Sequence, residues 1–463
     1  MNGRANLMKK LLSCYLVAAM LASSMWALAG CGHKPPYVNP GNNYDVSLDV
    51  DYQTSATLKV GLYIQTDQDE EHWKEIADGF KLIFPKVNIS MQLFSGNYYQ
   101  ELTKAFQAGT MPDILMVNSS ISFVGIAKGL LLDLAPYISA EKEVNPGYED
   151  QFIQSMWKLG QENYDGDQYF VPRSADRVVT HFNKAQLIAA GVDMSTVTNG
   201  WTWDDFMAAC AKVKTWYTAN KGAGRQFIAG NWDWEAMVFP MLESLGAKVF
   251  NADGTVALNS QATIDYLNML NGLVNMGYSS QSTPTRDNFL AGDAAFWFHS
   301  QSVDVGKQAL GDDYDVVTFP LVGDPATAKI GAGIAGYGIF SGIDQAKRNL
   351  AWQLLDFMLS KEGQNIMARA GITEPPIRVD MQDGMNLWRQ GNESLNMDAY
   401  TWETDRNFAT NFYLGQDPEK QIDLTTEVEN MVDNVMMRPS PDDPQTAINT
   451  CVTNLNNIIK KAS

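Results

Sequence analysis

The chain of 463 residues is short of cysteine, histidine and positive charge. It has four Cys and four His, and 34 Lys and Arg stand against 53 Asp and Glu, a formal net charge of −19. Each shortage excludes something. There is no CxxC pair and no cluster of His, so a zinc site lacks its ligands and no metal is expected. Without a basic excess, broad electrostatic binding to nucleic acid has no source. Beyond residue 30, no run reaches the roughly 18 uninterrupted apolar residues of a membrane span. The glycine-rich stretch Gly331–Gly338 lacks both a Gly-Lys-Ser/Thr ending and GxGxxG spacing. It therefore does not read as a phosphate loop, and no cofactor is expected.

What is present points to large packed cores. The chain is 45% hydrophobic and only 19% charged, with 11% aromatic residues and 12 Trp. At about 100–200 residues per domain, two to four domains fit.

The N-terminus has its own logic. Arg4, Lys9 and Lys10 precede an apolar run from Leu11 to about Leu28, and the run ends in Leu28-Ala29-Gly30-Cys31. A basic start, an apolar middle and small residues at a cleavage point make a secretory signal. The Leu-Ala-Gly-Cys ending resembles a bacterial lipobox, in which the Cys is acylated and becomes the new N-terminus. Loss of residues 1–30 removes three positive charges and no acid, taking the net charge from −19 to −22. Two acyl chains hold a protein stably at a bilayer. Cys14 goes with the signal, leaving Cys210 and Cys451. They could form one disulfide, but both fall in helical patterns, where buried thiols are common.

Residues 31–56 carry Pro35, Pro36, Pro40, Gly41 and several Asp, and read as a flexible tether. Alternation then predicts a strand over residues 58–64, and helical spacing of Trp73, Ile76, Phe80 and Phe84 predicts a helix ended by Pro85. A second strand over 87–93, a helix over 98–108 and a buried parallel strand over 113–117 continue the strand–helix alternation of an α/β chain. Further helices are expected over 203–213, with Thr202 as N-cap, and over 261–276, 349–370, 425–437 and 447–461. Residues 168–183 read as extended. Asp113 reads as a turn or cap residue, and Asn251–Thr255 as a β-turn rather than a calcium loop.

Four segments, in order, resemble a known family. They are Trp73–Pro85 with Ala108-Gly109-Thr110-Met111-Pro112-Asp113-Ile114; Tyr169-Phe170-Val171-Pro172 with Thr180–Lys184 and Trp201–Asp204; Phe289–Phe296 with its Ala-Gly-Asp-Ala-Ala core; and Ala351–Met358. Together they resemble the extracellular solute-binding proteins of family 1, the maltose-binding-like receptors of carbohydrate ABC transporters. The resemblance runs from Leu58 to Ser463. It implies a two-lobed periplasmic-binding-protein-like α/β fold with a multi-strand hinge and an interlobe ligand cleft. The implied division is a signal (1–30), a lipidated Cys with its tether (31–56) and an N-terminal lobe (57–173). A C-terminal lobe (174–333), a return to the first lobe (334–372) and a helical C-terminal part of the second (373–463) follow.

Candidate contacts lie in loops at strand ends facing that cleft. Gln65 and Asp67 follow the first strand, and Asn118 ends the third; a solvated loop explains Gln65 and Asp67 as well. Asp176, between Arg173 and Arg177, offers a carboxylate to two hydroxyls, although a hinge salt bridge is an equal reading. Trp232 and Trp234 flank Asp233 in a polar stretch. An indole face suits the C–H face of a sugar ring, while hydroxyls need carboxylate or amide partners; Trp is also often core. Trp297 or His299 could project into the cleft, Tyr337 is a stacking candidate where the chain returns to the first lobe, and Trp402 is a rim candidate. The expectation is a monomeric, non-enzymatic receptor held outside the membrane by Cys31. It captures a carbohydrate, of oligosaccharide size, and delivers it to ABC permease subunits. Alternatives are a lipid-anchored glycoside hydrolase, a receptor for a non-sugar solute and a purely structural surface lipoprotein.

Overall fold

A computed structural model describes residues 39–63, 67–94, 98–118, 129–161, 167–174, 177–281, 283–333, 335–369, 375–381, 387–409, 417, 420–437 and 441–460. The expected signal, Cys31, Gln65 and Asp176 lie outside these residues.

The first lobe is built on a mixed sheet. Strand β1 (Ala56–Tyr63) leads into helix α1 (Asp67–Ile83), β2 (Val87–Phe94), α2 (Tyr98–Gln107) and β3 (Ile114–Asn118). Strands β2 and β3 both pair parallel with β1, as strand–helix–strand crossovers require. Helix α3 (Ala135–Val144) and β4 (Val171–Pro172) follow. Asp113 is structural: its carboxylate accepts from the Lys59 amide at 2.8 Å and pairs with Lys347 at 3.1 Å, tying the start of β3 to β1.

The second lobe has its own sheet. It contains β5 (Val179–Asn183), β6 (Ile228–Gly230), β7 (Phe296–His299) and β8 (Tyr314–Thr318) in the order β6-β7-β5-β8. Helix α4 (Trp203–Asn220) starts with a capping box in which Thr202 and Asp205 satisfy each other's backbone amides, as the sequence predicts. Helices α5 (Glu235–Ser244) and α6 (Gln261–Asn275) pack over one face. Short β9 (Ile330–Gly331) then leads back to β10 (Ala335–Ile339), which closes the first sheet in the order β2-β1-β3-β10-β4. Helices α7 (Gln345–Leu359) and α8 (Lys361–Arg369) rejoin the first lobe. Strand β11 (Asn407–Phe408) pairs with β9, and helices α9 (Gln421–Met436) and α10 (Pro444–Lys460) complete the second core.

The lobes are joined where β4 passes into β5 and β9 into β10. The two passages run side by side: the Arg173 amide donates to Ala335 at 2.9 Å, and the Val178 amide donates to Gly331 at 2.8 Å. Gly331 has no room for a side chain, because a Cβ there would lie 1.6 Å from the Ala236 carbonyl oxygen.

Two expectations change. The helix expected over 349–370 is two helices. Ser360 is extended, and its hydroxyl accepts from the Gly363 amide at 3.1 Å, starting a new helix. The second half of the expected tether is not free. Tyr44, Val46, Leu48 and Val50 pack against the first core while Asp45, Asp49 and Asp51 face outward. The Tyr44 hydroxyl donates to the Asp133 carbonyl at 2.6 Å, the Ser47 amide to Asn349 Oδ1 at 3.2 Å, and Gln353 Nε2 to the Leu48 carbonyl at 3.2 Å. This strap has a period of two, hidden among Asp, Asn, Pro and Gly. Cys210 and Cys451 are buried and free.

Candidate ligand-binding site

The strand ends say which edges face each other. The crossings leave beside Asn118, which ends β3 and pairs with Ala335, so the C-terminal ends of β1–β3 face the second lobe. In the second sheet the same crossings reach Val179, which pairs with His299 and Thr318. The ends of β6 and β7 therefore face the first lobe. Gly230 to Glu235 and His299 to Ser302 lie at that edge.

Five aromatic rings form a row there. The half-buried Trp234 stacks on His299 at 5.1 Å between centroids and 21° between planes. His299 stacks on Trp297 at 5.1 Å, Trp297 lies 4.5 Å from His181, and His181 lies 5.9 Å from Tyr314. The row runs from the cleft edge into the lobe, and His181 and Tyr314 are fully buried. Hydrogen bonds set the tautomers. His181 Nε2 meets the His299 carbonyl at 3.2 Å and must donate, so Nδ1 accepts from the Tyr314 hydroxyl at 2.6 Å. His299 Nδ1 accepts from the Gln301 amide at 3.0 Å, leaving Nε2 with the proton. That N–H finds no partner among the described residues. Burial, with His299 nearby, holds the His181 imidazole down at about 3, and burial with Arg286 holds His299 down at about 4. Both are neutral rings at physiological pH.

The expected residues separate by place. Trp232 is 2% exposed; its Nε1 donates to Ser279 Oγ at 2.8 Å and its ring meets Phe298 edge-on. Trp297 is buried within the row. Tyr337 is also buried, in the first lobe's core, where its hydroxyl accepts from Trp73 Nε1 at 3.1 Å. Asn118 is half-buried at the end of β3, and Asp67 opens α1. Trp402 is half-buried over Gly200, with the Arg406 guanidinium 5.3 Å from its ring centre. The structure thus brings Trp234 and His299 together at the edge, sets Trp232 and Trp297 inside the second lobe, and buries Tyr337 in the core of the first.

Two features take their form only from the fold: Arg177, which the sequence places at the hinge crossing, and a group of acids. Arg177 is fully buried at the crossing, where its guanidinium donates to the carbonyls of Ala399, Trp402 and Glu403. Burial and the nearby Arg406 push it down to about 9. It fastens the segment that carries Trp402. The second feature is a group of acids. Glu429 and Asp433 of α9 face Asp233 and Glu235 at the start of α5. Burial and the neighbouring carboxylates push Glu429 up to about 7, and burial with Asp233 pushes Asp433 up to about 6.

Two lobes, each with a sheet edge turned toward the other and chain crossings between them, define a two-lobed binding protein of the periplasmic type. The chain belongs to the bacterial extracellular solute-binding protein family, whose model matches residues 66–365. Solved structures share the fold. The sugar-binding protein MalE of Xanthomonas citri superposes with a TM-score of 0.71 at 18% identity, over 87% of this chain and 97% of that one. An ABC substrate-binding protein of Listeria monocytogenes in complex with cycloalternan gives 0.69 at 21% identity, over 87% and 99%. UgpB of Mycobacterium tuberculosis, in complex with glycerophosphocholine, gives 0.70 at 17% identity, over 88% and 98%. An arabinooligosaccharide-binding protein of Halalkalibacterium halodurans is 26% identical over 135 residues, 29% of this chain and 28% of that protein. No described helix is long and apolar enough to cross a membrane.

Proposed function

We propose that this receptor captures an oligosaccharide between its lobes and hands it to ABC permease subunits. The observation that carries the reading is the half-exposed Trp234 ring, stacked on a neutral histidine at the edge that faces the first lobe. An indole fixed this way offers a flat apolar face to a sugar's C–H surface, and the free His299 N–H and the flanking Asp233 and Glu235 suit hydroxyls. Asn118, Gln65, Asp67 and Asp176 supply partners from the first lobe and the crossing. Trp402 borders the site. Trp297 backs the platform as the next ring of the row, while Trp232 and Tyr337 serve as core residues of the second and first lobes. The ligands named for the Listeria and Halalkalibacterium relatives support the sugar reading.

In this reading the lobes divide as 57–173 with 334–372 and 174–333 with 373–463. Contacts from both shift the open–closed balance toward closure. The signal ends at Gly30, Cys31 carries the lipid, and the receptor works as a monomer on the outer face of the membrane without catalysing a reaction. A thermal-shift screen across mono- and oligosaccharides tests it: ligand at a hundred times its Kd stabilises by about 2.7 kcal/mol. A panel in which no sugar raises Tm, or in which a glycan is hydrolysed, overturns it.

A further inference from the structure

The acids around Trp234 gather where helix physics disfavours them. Glu429 and Asp433 lie four residues apart on α9 and so share one face of that helix. Like charges at that spacing repel, and Asp433 sits in the last turn, where the helix dipole opposes a carboxylate. Their face looks onto the start of α5, where Asp233 and Glu235 flank Trp234. The N-terminus of α5 favours Asp233 and Glu235 but does nothing for the other two. The neighbours acting on Glu429 are all carboxylates: Glu235, Asp233 and Asp433.

Two polar atoms at the same spot are left over. The Asp433 carboxylate accepts from the Gln281 side chain, but its Oδ1 is closed to solvent and has no partner among the described residues. Helix α6 packs against both α5 and α9 and brings in Tyr266. Tyr266 is fully buried, its hydroxyl lies in the field of Asp233, and that hydroxyl also has no partner among the described residues. A buried hydroxyl left unused is costly, and it can turn to accept from a cation. The spot therefore has acceptors for a positive group that the chain itself does not supply. Among the described residues no set of His, Cys, Asp and Glu converges as metal ligands do, so these spread acids suit an organic cation. Trp234 agrees, because a half-buried indole between two acids attracts an ammonium group as well as a sugar's C–H face. The net charge of −19 draws such a solute from a distance and repels an anionic one.

We propose that the solute carries a protonated amine, making it an amino sugar rather than a neutral or acidic one. This rests on Trp234 being the sugar platform. The sugar ring lies on the indole, and its ammonium group donates to Asp233 and Glu429, with the Tyr266 hydroxyl as a further acceptor. The acids then gain the counter-charge that folding alone does not give them.

The experiment is calorimetric titration of the full chain with four probes: the glucosamine trimer, the same trimer N-acetylated, maltotriose and spermidine. Acetylation keeps the sugar skeleton and removes the charge. The glucosamine trimer should bind at least about tenfold tighter than its acetylated form at low salt, the worth of one charge-assisted hydrogen bond. High salt should narrow that lead. Glu429→Gln removes a repulsion and so still folds; it should cut the lead to about threefold or less, and Tyr266→Phe should reduce it too. The ratio of the two trimers is the readout, since a merely structural change would weaken both alike. Equal affinity for the two trimers, or a lead unmoved by Glu429→Gln, overturns the proposal and leaves the sugar reading in place. Binding of spermidine but of no sugar rejects the sugar reading and leaves the amine standing. Binding of none of the four rejects both.

Discussion

Glu429→Gln is expected to stabilise the protein in alkaline but not in acid solution. The Glu429 carboxyl is pushed up from 4.5 to about 7 by burial, then by Glu235, Asp233 and Asp433. The direction follows from proton counting. Below pH 4.5 the side chain is protonated in both the folded and unfolded chain, and the environment carries no penalty. As pH rises from 4.5 to 7 the unfolded chain releases its proton first, so stability falls; above 7 the loss is constant. A displacement of that size is worth at most about 3 kcal/mol. The side chain is half-buried, and solvent screening reduces this to about 1–2 kcal/mol. The neutral amide avoids the penalty. For a lobe of this size, that raises Tm by about 3–6 °C at pH 8 and hardly at all at pH 5. Calorimetric scans of both proteins at the two pH values make the test. An equal shift at both, or a lower Tm for the variant at pH 8, refutes the argument that the four acids oppose one another.

Other outcomes follow from the same geometry. Trp234→Ala should weaken sugar binding by about 1–3 kcal/mol, measured by calorimetric titration, and lower the Tm of the free protein less than Trp232→Ala does. Trp232→Ala should instead cost about 3–5 kcal/mol of stability in urea unfolding, because it empties a core position and leaves Ser279 without its donor. Arg177→Met should cost about 2–4 kcal/mol, since it strips the carbonyls of Trp402 and Glu403 of a buried charged donor. Leu48→Ser should open residues 39–55 to limited proteolysis while leaving the thermal transition of the second lobe in place.

The alternation of strands and helices was legible because each element shows its own period. β1–β3, the Thr202 cap and the helices around the second core stand close to where spacing places them. The strap was equally periodic, at Tyr44, Val46, Leu48 and Val50, but its neighbours have tether composition and only packing on α7 shows that the period is used. The site was less legible for a physical reason. Trp232 and Trp234 sit two apart in the same polar stretch, and nothing local says that the first turns back onto Ser279 while the second stays at the edge. The acid group joins residues far apart in the sequence, Asp233 and Glu235 with Glu429 and Asp433, so its mutual repulsion exists only after folding. His299 is informative only through its two stacking partners.

The row from Trp234 to Tyr314 also makes the protein its own optical reporter. An indole at the edge and a second indole inside stack on opposite sides of the same histidine ring in sequence along the row. A solute on the outer indole is expected to change its emission, one of 12 Trp in the chain, which intrinsic fluorescence tests without a dye. Acidification to about pH 4 charges the intervening His299 ring and should dim that signal with no solute present.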